Sequence, residues 1–297
     1  MAFALAYYTK DQNIQMPDIR LYEYQINKIK NTKDVDTIFL GDSSLGDGIN
    51  AELWSKLSHK KALNLGLTGN FGYEGAYNIL QTLLFEGHNP KNLIIFFEPK
   101  QITMGVSSLS LAQTSPYKTK NESQFIENMK MFWLLNISKD GVIFNIKKIF
   151  DNSQKVDDQM LFENDFMIQK PTKREKNRFD FSSVKFTLSV NDINPKKIYY
   201  LEKINEICRK YKINCIYVHG PVAEQFCNWM VDFKPKAEEF ISKSGLKIVN
   251  NSPICPPSED MGDTINHIHP EMKDHYTKKY YKIINPYLDT VNNVISK

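Results

Sequence analysis

Three short apolar runs in the first hundred residues constrain the fold more than any other feature. Asp36 to Leu40 combines β-branched and aromatic residues and stops at Gly41, the composition of a buried strand. Lys61 to Gly66 reads as a second strand, and Asn92 to Phe97 is almost continuously apolar. A segment apolar on both faces is what a central parallel strand needs. Between these runs, Ala51 to Leu57 and Tyr73 to Phe85 carry helical spacing, the latter through Leu80, Leu83 and Leu84. Strand, helix, strand, helix, strand predicts a parallel sheet with crossover helices.

The alternation resumes after Asn194-Pro195. Lys196 to Tyr211 predicts a helix, Cys215 to Val218 a strand, Ala237 to Ser244 a helix and Leu246 to Val249 a further short strand. Pro270 to Ile284 reads as a closing helix with proline in its first turn, and Pro286 should end or kink it. Residues 17–33, with Leu21, Tyr22, Ile26 and Ile29, predict a helix leading into the first strand. The whole is expected to be a three-layer α/β/α domain over 34–297, preceded by an N-terminal segment, 1–33.

The order breaks between 102 and 195, a polar and irregular stretch that reads as an insertion. Within it, Ser123 to Phe150 carries an amphipathic stripe of Phe125, Met129, Phe132, Trp133, Ile137, Ile143 and Ile146. A stripe of that kind packs on a core more often than it binds a partner. The apolar opening Met1 to Tyr8 fits either the stump of an N-terminal anchor or a small packing segment. It lacks the charged leader and cleavage site of a signal peptide.

Composition narrows the function classes. The formal net charge of +4 argues against a nucleic-acid binder, which concentrates basic residues on one face. The densest basic cluster, Lys170, Lys173, Arg174, Lys176 and Arg178, reads as a solvated loop, with contact to an acidic glycan or anionic lipid as the sharper alternative. Four cysteines, Cys208, Cys215, Cys227 and Cys255, have no metal spacing, and no disulfide framework is expected. The histidines show no metal pattern, so neither metal nor cofactor is expected. No stretch reaches the roughly 18–20 apolar residues that span a bilayer.

Chemistry concentrates at two places. Gly41-Asp42-Ser43-Ser44 follows the first strand, where a sharp turn can hold a hydroxyl at the C-terminal edge of a sheet. Far along the chain, Asn266-His267-Ile268-His269-Pro270 precedes the closing helix. An early serine and a late histidine suggest a serine hydrolase or acyltransferase. Glu98 ends the third strand and is placed to line a pocket; His219-Gly220-Pro221 reads as a loop at the sheet edge. A phosphate-cradling reading of Gly41 to Gly48 ranks last, because the glycines match neither P-loop nor dinucleotide spacing.

Gly41-Asp42-Ser43-Ser44 resembles the first block of the SGNH, or GDSL-type, hydrolases. Asn64-Leu65-Gly66-Leu67-Thr68-Gly69-Asn70 resembles their second block, and Asn266-His267-Ile268-His269-Pro270 their last, usually Asp-x-x-His-Pro. The resemblance covers 34–100 and 196–290 and implies an SGNH-like, flavodoxin-like fold. It implies that Ser43 attacks an ester carbonyl while His269 moves the proton, with the N–H groups of Ser43 and Gly69 donating to the oxyanion. Two positions depart from the pattern. The acid position falls on Asn266, for which Asp263, three residues earlier, is a substitute. The third strand ends Phe97-Glu98-Pro99-Lys100-Gln101 without the family's oxyanion asparagine, for which Asn70 is a substitute.

The departures resemble a divergent branch associated with the cell envelope, whose members work with membrane-bound O-acyltransferases or remove acyl groups from polysaccharides. The expected function is a serine esterase or O-acyltransferase acting on acyl esters, acetyl first among them, of a bacterial cell-envelope glycan. The alternative is a catalytically impaired module that binds glycan or a membrane acyltransferase. The expected partners are an acylated glycan and a membrane-bound O-acyltransferase, with no nucleic acid. The expected location is the cell envelope or periplasmic face, with a cytoplasmic one left open.

Overall fold

The computed structural model describes residues 17–105, 142, 161–163, 166–168, 188–230, 232–249 and 253–288. The aromatic stripe of 123–150, the basic cluster of 170–178 and the apolar opening lie outside the described residues.

Seven strands occur among them: β1 (Thr37–Gly41), β2 (Ala62–Gly66), β3 (Asn92–Phe97), β4 (Leu161–Glu163), β5 (Phe166–Ile168), β6 (Asn214–His219) and β7 (Lys247–Ile248). Five form one sheet in the order β2-β1-β3-β6-β7, with every pairing parallel. The helices are α1 (Pro17–Asn31), α2 (Ser43–Gly48), α3 (Ala51–Ser58), α4 (Gly72–Phe85), α5 (Lys197–Tyr211), α6 (Glu224–Cys227), α7 (Phe233–Lys243) and α8 (Lys273–Ile284). The expected α/β class is what the chain adopts.

The sheet separates two apolar layers by the period of two that a strand imposes. Ile38, Leu40, Leu93, Ile95, Phe97 and Tyr217 point to one side, into a core shared with Ile79 and Leu83 of α4 and Leu201 and Ile204 of α5. Phe39, Ile94, Phe96, Ile216 and Val218 point to the other, against Trp54 of α3 and Tyr280 and Ile284 of α8. Rings meet edge-on there, with centroids 4.8 Å apart for Phe39–Trp54 and for Phe96–Tyr280. Each large apolar side chain buried this way contributes about 1.5–3 kcal/mol. Because both faces are covered, β1 and β3 are apolar on both sides after their first residues, Thr37 and Asn92, as their sequence indicated.

The structure departs from the sequence reading in several elements. The segment after Gly41 is a six-residue helix, α2, where only a turn was expected. The closing helix begins as a 3-10 turn, Pro270–Met272, before α8 proper, and Pro286 sits in a second such turn, Asn285–Tyr287. α7 starts four residues earlier than expected and carries Pro235 in its first turn, where a missing N–H costs nothing. The insertion holds an antiparallel hairpin, β4–β5, whose second strand runs close to α2.

One cysteine expectation is corrected. Cys227 and Cys255 form a disulfide, with Cα atoms 6.3 Å apart. Cys208 and Cys215 are free, and Cys208 packs in the core as expected.

This topology fixes where a site can form. β2 and β3 lie on opposite sides of β1, so the chain direction across the sheet reverses at the β1/β3 boundary. In open parallel sheets that reversal leaves a crevice beyond the C-terminal strand ends. Ser43 follows β1 and Glu98 follows β3, at the two lips of that crevice.

Candidate active site

Ser43 is the first residue of α2, and a web of polar contacts fixes its position. Asp42, the N-cap, accepts from Ser44 N at 2.9 Å and from Ser44 Oγ at 2.5 Å through Oδ1. Its Oδ2 accepts from Glu98 N at 3.0 Å, tying the end of β1 to the end of β3. Burial pushes the Asp42 carboxyl up from its ordinary range, against hydrogen bonds from Ser44 and Glu98 that hold it down.

The far end of α2 is satisfied by distant side chains. Asn64 Nδ2 donates to Leu45 O and Ile49 O, Lys273 Nζ donates to Gly46 O at 2.6 Å, and Thr277 Oγ1 contacts Gly48 O at 3.4 Å. A helix this short leaves most of its backbone groups unpaired internally, so it exists because other elements cap both ends. Every residue of α2 is buried except Ser43.

Glycine is required just before this turn. A Cβ on Gly41 would lie 1.9 Å from Phe96 O, and one on Gly220 would lie 2.5 Å from Ser44 Oγ. Gly41 cannot retreat without opening the β1–β3 ladder, and Gly220 is held in place by its own N–H, which donates to Phe97 O at 2.8 Å.

The residue facing Ser43 is His267. Its Nε2 lies 2.7 Å from Ser43 Oγ, and its Nδ1 lies 2.7 Å from Asp263 Oδ1. Asp47 Oδ2, from α2, is a second carboxylate oxygen 3.3 Å from the same Nδ1. A carboxylate only accepts hydrogen bonds, so Nδ1 carries the proton and Nε2 is left to accept from the serine hydroxyl. That tautomer is the one able to take a proton from Ser43.

The loop carrying this histidine has no regular secondary structure and is held by backbone contacts. Met261 and Ile268 form an antiparallel bridge, Gly262 N donates to His267 O at 2.7 Å, and His269 N donates to Asp260 O at 2.8 Å. The turn closed by Gly262 brings Asp263 back over the His267 ring. A second segment, 222–224, clamps the loop through Val222 N to Ile254 O, Ala223 N to Ile265 O and Glu224 N to Pro256 O. The Cys227–Cys255 disulfide joins the same two segments.

His269, expected to be the base, is corrected by this geometry. It lies past the Met261–Ile268 bridge as the N-cap of the Pro270–Met272 turn. Its Nδ1 accepts from Glu271 N at 3.4 Å, and it is buried. The proline after it sets the entry of the closing helix, not the position of a base. Asn266, the expected acid position, is also elsewhere: its Oδ1 accepts from Thr264 Oγ1 at 2.6 Å within the loop. Asp263, named as the substitute, is on the imidazole. Of the oxyanion residues, Ser43 is at the site, Gly69 lies beside Gln101 with a would-be Cβ 3.6 Å from Oε1, and Asn70 is exposed on the loop after β2.

Two further ionisable groups complete the surroundings. Burial, with Asp42 adding to it and His267 opposing, pushes the Glu98 carboxyl up to about 8. A carboxyl so raised is largely protonated at neutral pH, a state in which it donates a hydrogen bond. His219, at the end of β6, is buried, which lowers it to about 4 and keeps it neutral. Asp47 was not singled out from the sequence, although its position four residues after Ser43 puts it on the same helix face. The signal for His267 was its four-residue offset from Asp263 beside Gly262.

No protein-family model matches the chain, and no curated protein matches it either.

Proposed function

We propose that this chain is a serine esterase or O-acyltransferase working through an acyl-Ser43 intermediate. The observation that carries the reading is the continuous line from Ser43 Oγ to His267 Nε2 and from His267 Nδ1 to Asp263, with 2.7 Å at each step. Ser43 Oγ attacks the acyl carbonyl as its proton passes to His267. The resulting imidazolium is stabilised by Asp263 and then protonates the leaving alcohol. Water or an acceptor hydroxyl then attacks the acyl-Ser43 ester and gives its proton to His267, which passes it to the departing Ser43 Oγ and restores the free serine.

The N–H groups of Ser43 and Gly69, with Asn70 as the side-chain donor, are the proposed oxyanion donors. One such donor is typically worth about 2.7–4 kcal/mol in the transition state. The substrate, in this reading, is an acetylated glycan of a bacterial cell envelope, and the partner a membrane-bound O-acyltransferase. The likeness of the three sequence blocks to SGNH-type hydrolases, with departures that resemble their envelope-associated branch, supports both. The Cys227–Cys255 disulfide supports an oxidising compartment such as the periplasmic face, since cytosolic thiols are kept reduced.

The absence of an asparagine after β3 favours the second reading, an impaired module that binds glycan without turning it over. Incubation with an activated acetyl ester and with an O-acetylated oligosaccharide separates the two. Turnover with a trapped acetyl adduct on Ser43 by mass spectrometry, lost in Ser43→Ala, is the expected result. Glycan binding with neither turnover nor adduct overturns the enzyme reading in favour of the module.

A further inference from the structure

We infer that the His267 imidazole is held by two carboxylates, and that Asp47 is a second positioning residue alongside Asp263. The inference rests on the acyl-transfer reading for its consequence, but on geometry for its substance. Asp263 is hydrogen-bonded to Nδ1 at 2.7 Å, and Asp47 Oδ2 lies 3.3 Å from the same atom as an ion-pair neighbour.

They differ in setting. Asp263 is 39% exposed on an irregular loop, whereas Asp47 is 6% exposed on a helix capped at both ends. Water and salt screen the first far more than the second. A carboxylate that is little exposed acts on a nearby charge with little screening, and the imidazolium that forms when Ser43 loses its proton is such a charge, 3.3 Å from Asp47. α2 therefore places the nucleophile and the second carboxylate one turn apart, both aimed at the same ring.

The arrangement also has a geometric use. An N–H with a second carboxylate oxygen 3.3 Å away has an acceptor to turn to when its hydrogen-bond partner swings away. Asp263, on the more exposed element, is the one free to do so during entry of an acyl acceptor. Asp47 then keeps Nε2 on Ser43.

The charged groups facing His267 come from several elements. They are Asp47 of α2, Asp42 at its N-cap, Glu98 after β3 and Asp263 of the loop itself. From α8, Lys273 reaches Gly46 O, next to Asp47. Removing either neighbouring carboxylate should therefore lower the pH at which the imidazole gains its second proton, with Asp42 and Glu98 retained in every variant.

The test is a cycle of Asp47→Asn, Asp263→Asn and the double variant. It is read by the NMR titration of His267 and by the pH profile of ester turnover. Where only one carboxylate orients the histidine, an Asp→Asn change costs about 10⁴-fold. Here Asp263→Asn is expected to lose only about 10–100-fold and Asp47→Asn about 3–10-fold, while the double variant approaches the full 10⁴. The His267 titration should move down by about half a unit to one unit in each single variant and further in the double.

A purely structural Asp47 would lower the melting temperature without moving that titration. Asp47→Ser serves as the second substitution if the amide does not fold, and Asp263→Asn alone reads the compensation with Asp47 intact. A titration unmoved by loss of Asp47, or a 10⁴-fold loss in Asp263→Asn alone, overturns the inference. If the wild type turns over no ester yet its His267 titration responds to Asp47, the acyl-transfer reading fails and the clamp stands.

Discussion

The two sides of the Ser43–His267 contact are built by opposite means. Ser43 stands on a parallel strand and a capped helix, with both neighbouring faces of the sheet buried. His267 stands on a loop outside any helix or strand, held by a few backbone bonds to 222–224, one isolated bridge and one disulfide. The nucleophile is positioned by packing and the base by discrete tethers. Packing resists small changes cooperatively, whereas tethers fail one at a time. Damage to the first side should therefore appear as lost folding, and damage to the second as lost alignment with the fold intact.

Substitution on the tethered side gives the largest expected effect. His267→Ala is expected to reduce ester turnover by about 10⁴-fold or more, equivalent to roughly 5 kcal/mol of barrier at about 1.36 kcal/mol per decade. His269→Ala, which removes a cap rather than the base, should stay within about tenfold in turnover and cost about 1 kcal/mol of stability. Steady-state rates and thermal melts on the pair check this; equal rate losses would erase the distinction between the two histidines.

Gly41→Ala attacks the packed side. Its Cβ would meet Phe96 O at 1.9 Å, and relieving that overlap separates β1 from β3. The expected cost is about 3 kcal/mol or more, seen as a large drop in calorimetric Tm. A variant that folds normally but loses turnover would contradict the assignment of this side to packing.

Loss of the disulfide tests the tethers more gently. Cys227 and Cys255 are separated by 28 positions, and closing a loop of that length stabilises by about 3–4 kcal/mol in the chain-entropy treatment. In the Cys227→Ser/Cys255→Ser variant, turnover should fall together with faster hydrogen exchange in 253–268. The β1–β3 amides should keep their protection, and equal loosening of both regions would refute the contrast.

Glu98→Gln gives the smallest effect, and its sign follows from the raised carboxyl. The unfolded Glu98 ionises near the ordinary value of 4.5, while the folded group holds its proton to about 8. Its contribution is intact below 4.5 and is lost as pH rises through about 8. Glutamine cannot ionise, so the variant should match wild type in Tm at about pH 4 and exceed it at about pH 8.5, with the gap opening between those values. A constant difference across that range would place Glu98 in solvent instead.

The same contrast explains what could be read from the sequence. The strands of the five-stranded sheet were legible because each carries its own apolar pattern, from Thr37-Ile38-Phe39-Leu40 to Asn92–Phe97, whereas β4 and β5 of the insertion were not. Ser43 was legible because it follows a strand and a glycine within a few residues. α2 was not, since Ser-Ser-Leu-Gly-Asp-Gly has little helical propensity and its caps come from Asp42, Asn64, Lys273 and Thr277. Asp47 stayed hidden with it. The choice between His267 and His269 depended on the Gly262–His267 and Ala223–Ile265 bonds, which join residues with no local signature. His269-Pro270 drew attention because proline marks the helix start. The Cys227–Cys255 pairing was invisible for the same long-range reason.

The central claim is that Ser43 shares its proton with His267. Fluorophosphonate capture tests it directly, because the probe bonds only to a serine whose proton has an acceptor. One adduct per chain, mapped to Ser43, retained in His269→Ala and abolished in both Ser43→Ala and His267→Ala, is the expected result. Capture that survives His267→Ala but vanishes in His269→Ala would contradict it.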